Sequence, residues 1–419
     1  MMGENRSGLR MTRAALLGRL MTCLAIAVFP VACGSHPPEN EPAPVQAPAS
    51  STAQAASTQA PVPAPAAPSA PLDVDAEYEK GAALAAAGKI PEAQAVFEAA
   101  AKQDPGEGAV ATAVEILRDR QAGRVSSDVV RRIFRAIDHV NQKRWNEAHD
   151  DINEAVKQAP RYVHAHDTRA AIYTHRGEYA KAIEVLDEAL KLDSQFALGY
   201  YNRGAVRAEL KQFDNAIADY NRALELQPSA WYVYRNRGSA YTYKNDAQSA
   251  IADYTKALEL RPRDLDTIVL RGTFFLVIGQ WQASVDDFSN AIALAPRDAL
   301  AHYNRGLAYQ RMGNVDRAVA DFTKAAELEP NDPAPVLNRG LLHAGRGDYD
   351  QAIADYDHVL KIAPDMALAH FNKGRALQEA GRRQEAISEY RTFLEEIGRE
   401  QPSLAAEARK HLGTLERQQ

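Results

Sequence analysis

The chain has 419 residues, 46% of them hydrophobic and 25% charged. This length indicates several domains or an array of repeats rather than one compact domain. The formal net charge is −6, and the acidic chain has no block of basic residues. This excludes most nucleic-acid binders, because phosphate contacts come from clustered Lys and Arg.

The first 33 residues carry the features of an export signal. Arg13 and Arg19 precede an apolar run over residues 20–32, which ends in small residues. The run is too short to span a bilayer, which needs about 20 apolar residues. A basic segment followed by a short apolar segment predicts a signal peptide over residues 1–33.

The end of that segment resembles the lipobox of bacterial lipoproteins, in which a small residue precedes a lipidated cysteine. Ala32, Cys33 and Gly34 match the pattern, whereas Pro30 stands where the family usually has Leu. The resemblance implies lipidation of Cys33 and, because Gly34 is not Asp, an anchor in the outer membrane that faces the periplasm. The alternative is an ordinary cleaved signal, which would leave the protein in the periplasm.

Residues 34–71 consist almost wholly of Pro, Ala, Ser, Thr and Gln. Such a composition cannot bury a core and predicts an extended, disordered tether. Both cysteines of the chain, Cys23 and Cys33, lie before this tether. The sequence behind it therefore offers no disulfide, thiolate metal site or cysteine nucleophile.

Residues 129–400 form eight gapless units of 34 residues, which start at 129, 163, 197, 231, 265, 299, 333 and 367. The eighth place of the unit is always Ala or Gly, the twentieth is Ala or Ser, and the twenty-fourth is a large apolar or aromatic residue. Proline closes most units. The pattern predicts two amphipathic helices per unit, whose small residues allow close approach and whose second helix ends before the proline.

A 34-residue period with these residues resembles the tetratricopeptide repeat (TPR). The resemblance implies an all-α, helix-turn-helix solenoid wound into a right-handed superhelix. A degenerate unit over residues 74–107 and a connecting helix are predicted within residues 72–128, and a polar capping helix within residues 401–419.

A charge pair recurs at the seventh and twenty-third places of the units. Six units carry Arg with Asp, the last carries Lys373 with Glu389, and the unit at 163 has Arg169 with Val185. The pattern predicts a structural ion pair, either between the two helices of one unit or with the next unit. If the pair is exposed, each one contributes about 0–1 kcal/mol to the stability of the fold. Its main effect is then to fix the alignment of the two helices.

The resemblance to TPR proteins implies a partner-binding concave face lined by the first helix of each unit. The sixth place repeats an asparagine that can donate to and accept from a peptide backbone, and a second set of aromatic and basic residues lies mainly in residues 197–264. The two sets are Asn202, Asn236, Asn304, Asn338 and Asn372, and Tyr201, Tyr232, Arg235, Tyr243 and Tyr303. The alternatives are that the asparagines merely suit this helix and that the tyrosines are packed between helices.

No HExxH, GxSxG or GxxxxGK[ST] motif occurs, so no catalytic residue, cofactor or metal is predicted. His164, His166 and His175 are interpreted as an incidental surface group. The expected function is a non-enzymatic, lipid-anchored scaffold that binds protein partners in the bacterial cell envelope, as an adaptor for a cell-wall hydrolase, a protease or an assembly machine. The alternatives are an assembly factor for a pilus or a secretion pore, and an enzyme with an unrecognised site.

Overall fold

The computed structural model describes residues 74–103, 108–397 and 402–417. The predicted signal peptide and tether lie outside these residues. Within them the chain forms twenty α-helices and no strand, and no helix there is both long and apolar enough to cross a membrane. The helices are α1 (Val74–Ala86), α2 (Ile90–Gln103), α3 (Gly108–Gln121), α4 (Ser127–Asn141), α5 (Trp145–Gln158), α6 (Val163–His175), α7 (Tyr179–Leu192), α8 (Ala197–Glu209), α9 (Phe213–Leu226), α10 (Trp231–Tyr243), α11 (Ala247–Leu260), α12 (Leu265–Val277), α13 (Trp281–Leu294), α14 (Ala299–Arg311), α15 (Val315–Leu328), α16 (Pro333–Arg346), α17 (Tyr349–Ile362), α18 (Ala367–Glu379), α19 (Arg383–Ile397) and α20 (Pro402–Arg417).

From α4 to α19 the helices form pairs, one pair per 34-residue unit, and each pair packs against the next. The turn inside each pair holds a residue with positive φ at the fifteenth place. This residue is glycine in five units, for example Gly313 with φ 76°, and it is Lys143, Lys211 or Asn245 in the others. The predicted all-α stack of helix-turn-helix units is confirmed.

The small residues allow the two helices of a unit to approach closely, as predicted. A Cβ atom added to Gly306 on α14 would lie 2.8 Å from Cε1 of Phe322 on α15. Gly204 stands in the same relation to Tyr220, whose ring carbon would lie 2.8 Å away. The aromatic residue at the twenty-fourth place thus occupies the space that a side chain at the eighth place would need.

The repeated charge pair joins the two helices of one unit. Arg271 donates from Nε and Nη2 to both carboxylate oxygens of Asp287, at 2.8 and 2.7 Å. Its Nη1 also donates to Oγ1 of Thr255 in the preceding unit, at 3.1 Å. The expectation of an exposed pair is wrong, because the Asp287 side chain is only 4% exposed. The same connection to the preceding unit is made by Arg203, Arg237, Arg305 and Arg339.

The stack has a helix pair at its N-terminal end and a single helix at its C-terminal end. Phe97 on α2 packs between the rings of Tyr78 and Phe134, at centroid distances of 5.6 and 5.7 Å, and so joins α1 and α2 to α4. The helix α20 packs on α19, where the ring of His411 stacks on Tyr390 at 5.4 Å.

Candidate functional site

The helix α3 leaves the regular stack and lies across the first helices of four units. At its start, a Cβ atom added to Gly108 would lie 3.1 Å from the ring of Tyr232 on α10. Near its end, the hydroxyl of Tyr162 donates to Asp119 at 3.1 Å. Between these points, Glu115 Oε1 lies 3.7 Å from Nε2 of His164 on α6. The surface made by α4, α6, α8 and α10, which α3 crosses, is called the groove below.

The helix α3 is held mainly by apolar burial. Its residues Val110, Ala113, Val114, Ile116 and Leu117 are all buried and belong to one core with residues of α1, α2 and α4. Its contact with His164 also lowers the pKa of Glu115. One segment of the chain is therefore bound along the inner faces of the first helices, by apolar contact and by polar contacts toward its C-terminal end.

A cavity of about 120 Å³ remains between α3 and the groove. The roof includes Gly108, Thr112 and Ile116 of α3, and the opposite wall comes from α4, α6, α8 and α10. The wall residues that carry polar or aromatic groups include His164, Asp167, Tyr201, Asn202, Trp231 and Tyr232. Three of the predicted partner-binding residues, Tyr201, Asn202 and Tyr232, thus line one cavity.

Asp167 is a carboxyl side chain in this wall that forms no ion pair with a described residue. It is only 9% exposed and accepts a hydrogen bond from Nδ2 of Asn202 at 2.7 Å. Burial raises the pKa of Asp167, while the hydrogen bond from Asn202 and the nearby His164 act in the opposite direction. Asn202 is 6% exposed, and its Oδ1 has no hydrogen-bond partner in the described part of the chain.

Aromatic rings form another part of the cavity wall. The rings of Tyr201 and Tyr232 meet edge to face at 4.8 Å, and Trp231 packs edge to face on Tyr232 at 5.9 Å. Arg235, one of the predicted residues, is buried with its guanidinium 5.1 Å from the Trp231 ring centre and 3.5 Å from Asp264.

The repeated asparagines bond to the preceding unit where a polar partner stands there. Asn236 donates to the hydroxyl of Tyr201 at 2.9 Å, and Asn338 donates to that of Tyr303 at 3.1 Å. Asn304 is fully buried, with no hydrogen-bond partner among the described residues for either amide atom.

Seven of the ten predicted residues do not line the cavity, and the last two of these are Asn372 and Tyr243. Asn372 is buried on α18, far along the chain from the cavity. Tyr243 stacks on the ring of Phe213 at 5.0 Å. The structure therefore groups Tyr201, Asn202 and Tyr232 and spreads the other predicted residues along the stack. A role in partner binding stays a prediction for all ten.

The interpretation of the histidines as a surface group holds for His175, which is exposed, and is wrong for the other two. His164 and His166 are 4% and 5% exposed, and Nε2 of His166 lies 2.8 Å from the carbonyl oxygen of Pro160. His164 packs edge to face on Phe196 at 5.2 Å. The part of the chain that the structure describes holds no cluster of three or more His, Cys, Asp or Glu residues suited to a metal ion.

Sequence reasoning missed Asp167, Trp231 and the whole of α3 as parts of this site. A signal for Asp167 was available, since it stands at the fifth place of its unit, as do the predicted residues Tyr201, Arg235 and Tyr303. No periodic signal marks the position of α3, because it belongs to none of the 34-residue units.

Comparison with known families decides the class of the array. Models described as tetratricopeptide repeat match residues 197–230, 232–264, 299–332 and 337–405, and a model described as TPR repeat matches residues 170–211 and 277–313. The chain belongs to the tetratricopeptide repeat family. The prediction from the 34-residue period is thus confirmed.

Solved structures similar to this TPR chain include three proteins with the same repeat. The C-terminal part of a TPR repeat-containing protein from Cytophaga hutchinsonii is 20% identical, with a TM-score of 0.52 over 58% of this chain and 98% of that one. A tetratricopeptide repeat protein from Parabacteroides merdae is 19% identical, with a TM-score of 0.43 over 60% and 100% of the two chains. YrrB, described as a TPR protein with an unusual peptide-binding site, is 25% identical, with a TM-score of 0.41 over 45% of this chain and 96% of that one. No curated protein matches the chain.

Proposed function

We propose that this TPR protein is a non-enzymatic scaffold that binds protein partners through the inner faces of its first helices. One observation carries the proposal: a helix of the chain itself, α3, already lies across these first helices and contacts α4, α6 and α10. The surface therefore has the shape and apolar character needed to hold a polypeptide segment. Beyond α3, the first helices continue as α12, α14, α16 and α18, and on α14 Tyr303 and Leu307 are half-buried.

The proposed place of work is the cell envelope. The basic and apolar segments before Cys33 and the match of Ala32, Cys33 and Gly34 to the lipobox support export and lipidation. The Pro- and Ala-rich tether behind Cys33 would hold the array away from the outer membrane on its periplasmic side. An anchor of this kind raises the effective concentration of a partner at the membrane without any new contact.

The test is crosslinking in cells followed by affinity capture of the tagged full-length protein, with mass spectrometry of the captured proteins. Wild type is compared with Cys33→Ala and with Cys23→Ala as the matched control. The proposal predicts a discrete set of envelope proteins that is depleted in Cys33→Ala and retained in Cys23→Ala. Unchanged membrane location and unchanged captured proteins in Cys33→Ala would contradict the lipid anchor. A capture with no specific protein in any variant would contradict the scaffold.

A further inference from the structure

The cavity under α3 contains a buried carboxyl group for which the described residues supply no cation. The Asp167 carboxylate is more than nine-tenths buried, and no Lys, Arg or His among the described residues lies within salt-bridge distance of it. Its one hydrogen bond comes from the neutral amide of Asn202. Burying a carboxylate without a cation is costly, so native structures pair such groups with a cation or protonate them.

A second acceptor lies beside this carboxylate. Nδ2 of Asn202 is 2.7 Å from Asp167, and the Oδ1 of the same amide has no partner in the described residues, although the side chain is buried. An amide oxygen left unpaired in a buried position is itself unfavourable. The cavity therefore presents one carboxylate that lacks a cation and one amide oxygen that lacks a donor.

The donor that meets both requirements is an ammonium group. It carries three N–H donors and a full positive charge, which suits a carboxylate and a second acceptor together. The walls also contribute the aromatic rings of Tyr201 and Tyr232, and aromatic rings attract cations. The Trp231 ring is already in contact with Arg235 and Arg261. The N-terminus of α3 repels a cation, because the helix dipole places about half a positive unit charge there. An ionised Asp167 carries a full negative charge, which outweighs this repulsion.

Other classes of ligand fit the cavity less well. An anion would meet the carboxylate of Asp167 directly. A divalent metal ion would find no group of three or more ligating side chains in the described residues. The apolar parts of the wall, such as Ile116, Ile137 and Leu198, suit an alkyl stem behind the charged group.

We infer that this cavity binds a protonated primary amine on an apolar stem, with Asp167 and the Oδ1 of Asn202 as acceptors. The amine belongs either to a free alkylamine or to a lysine side chain of a bound segment. A lysine side chain as the ligand rests on the proposed scaffold function, whereas a free alkylamine as the ligand does not. The cavity volume of about 120 Å³ suits the end of a lysine side chain or a short alkylamine.

The experiment is calorimetric titration of the full chain at neutral pH and constant ionic strength. The probes are n-butylammonium, its neutral analogue n-butanol, and a short acetylated peptide with lysine or norleucine at the centre. The variants are Asp167→Asn, which keeps the shape and removes the charge, and Asp316→Asn as a control at an exposed acid outside the groove. A melting curve of each variant verifies that it is folded.

The inference predicts saturable binding of n-butylammonium, at least tenfold weaker binding to Asp167→Asn, unchanged binding to Asp316→Asn and none of n-butanol. Binding of the lysine peptide but not of the norleucine peptide would assign the cavity to a partner segment. Binding of the free amine alone would assign it to a small ligand. No binding of either amine, or equal binding to wild type and Asp167→Asn, overturns the inference. Because no partner protein is needed, failure of the capture experiment would leave this test unaffected.

Discussion

At the residue scale, the eighth and twenty-fourth places of each unit are filled as a pair. The first two units combine Ala136 with Ile152 and Ala170 with Leu186, whereas the later six combine glycine with an aromatic residue. Contact explains the difference, because a Cβ atom at Gly306 would lie 2.8 Å from the Phe322 ring. An aliphatic side chain at the twenty-fourth place tolerates the methyl group, and an aromatic ring does not.

This pairing predicts that Gly306→Ala destabilises the array. The added methyl forces a shift of the Phe322 ring, and such overpacking costs about 1–3 kcal/mol. In the double variant with Phe322→Leu the methyl should cost less, so the two changes should not be additive. Urea unfolding followed by circular dichroism measures the effect. The control is Gly345→Ala on α16, where a Cβ atom would meet nothing within 4 Å. Additive effects of the two changes would contradict the pairing.

The raised pKa of Asp167 predicts a specific pH dependence. Burial, the main cause, favours the protonated form in the folded chain. At pH values above the ordinary Asp pKa, the folded state therefore binds more protons than the unfolded state. The free energy of unfolding then falls as the pH rises from the ordinary Asp pKa to the raised pKa of Asp167 in the folded chain. An asparagine at this position does not ionise, so Asp167→Asn should gain stability relative to wild type between pH 4 and pH 7. Melting temperatures at both pH values measure this gain, with Asp316→Asn as the control. A variant that loses stability relative to wild type over the same interval would contradict it.

The contacts of individual residues were predictable only where the 34-residue spacing repeats them. The pair of Arg271 and Asp287 was predicted, because the seventh and twenty-third places change together across the units. The bond from Arg271 to Thr255 was not, since the twenty-fifth place holds residues of several types. The bonds from Asn236 and Asn338 to tyrosines in the preceding unit were missed for the same reason: the residue at the fifth place varies from unit to unit.

At the scale of the element, α3 shows where periodicity stops being informative. The sequence indicates a helix in residues 108–128, and the structure has one at Gly108–Gln121. Nothing in its apolar pattern says against which surface it packs. That depends on the shape of the groove, which only the folded stack of α4, α6, α8 and α10 creates.

The hydrogen bond from Tyr162 to Asp119 holds the C-terminal part of α3 against the groove. Tyr162→Phe removes it and leaves the largely buried carboxylate of Asp119 with Arg124 as its remaining side-chain contact. We expect a local loss of about 1–3 kcal/mol, as for a buried acceptor that loses its donor. Amide hydrogen exchange measures it as faster exchange of residues 108–121, with α16 to α18 unchanged. The control is Tyr309→Phe, on α14 outside the groove. Unchanged exchange in α3 would show that the bond does not hold the helix.

At the scale of the whole molecule, the array depends on contacts between neighbouring units. Each helix packs against helices near it in sequence, and the unit at 265 contacts those at 231 and 299. Stability in such an array is approximately a sum of terms from the units and their interfaces. Damage at one interface should therefore remain local. The exception is the N-terminal third, where α3 connects the units at 129, 163 and 231 by direct contact.

Arg271→Ala tests this organisation. The change leaves the Asp287 carboxylate, which is 4% exposed, without its cation and removes the bond to Thr255 in the preceding unit. Breaking a buried pair in this way costs about 3–5 kcal/mol. Hydrogen exchange should accelerate in α10 to α14 and stay at the wild-type rate in α1 to α6, with the exposed Arg297→Ala as the control. Equal acceleration throughout the described helices would mean that the whole array unfolds as one cooperative unit. In that case, a partner bound at any unit would stabilise all of them.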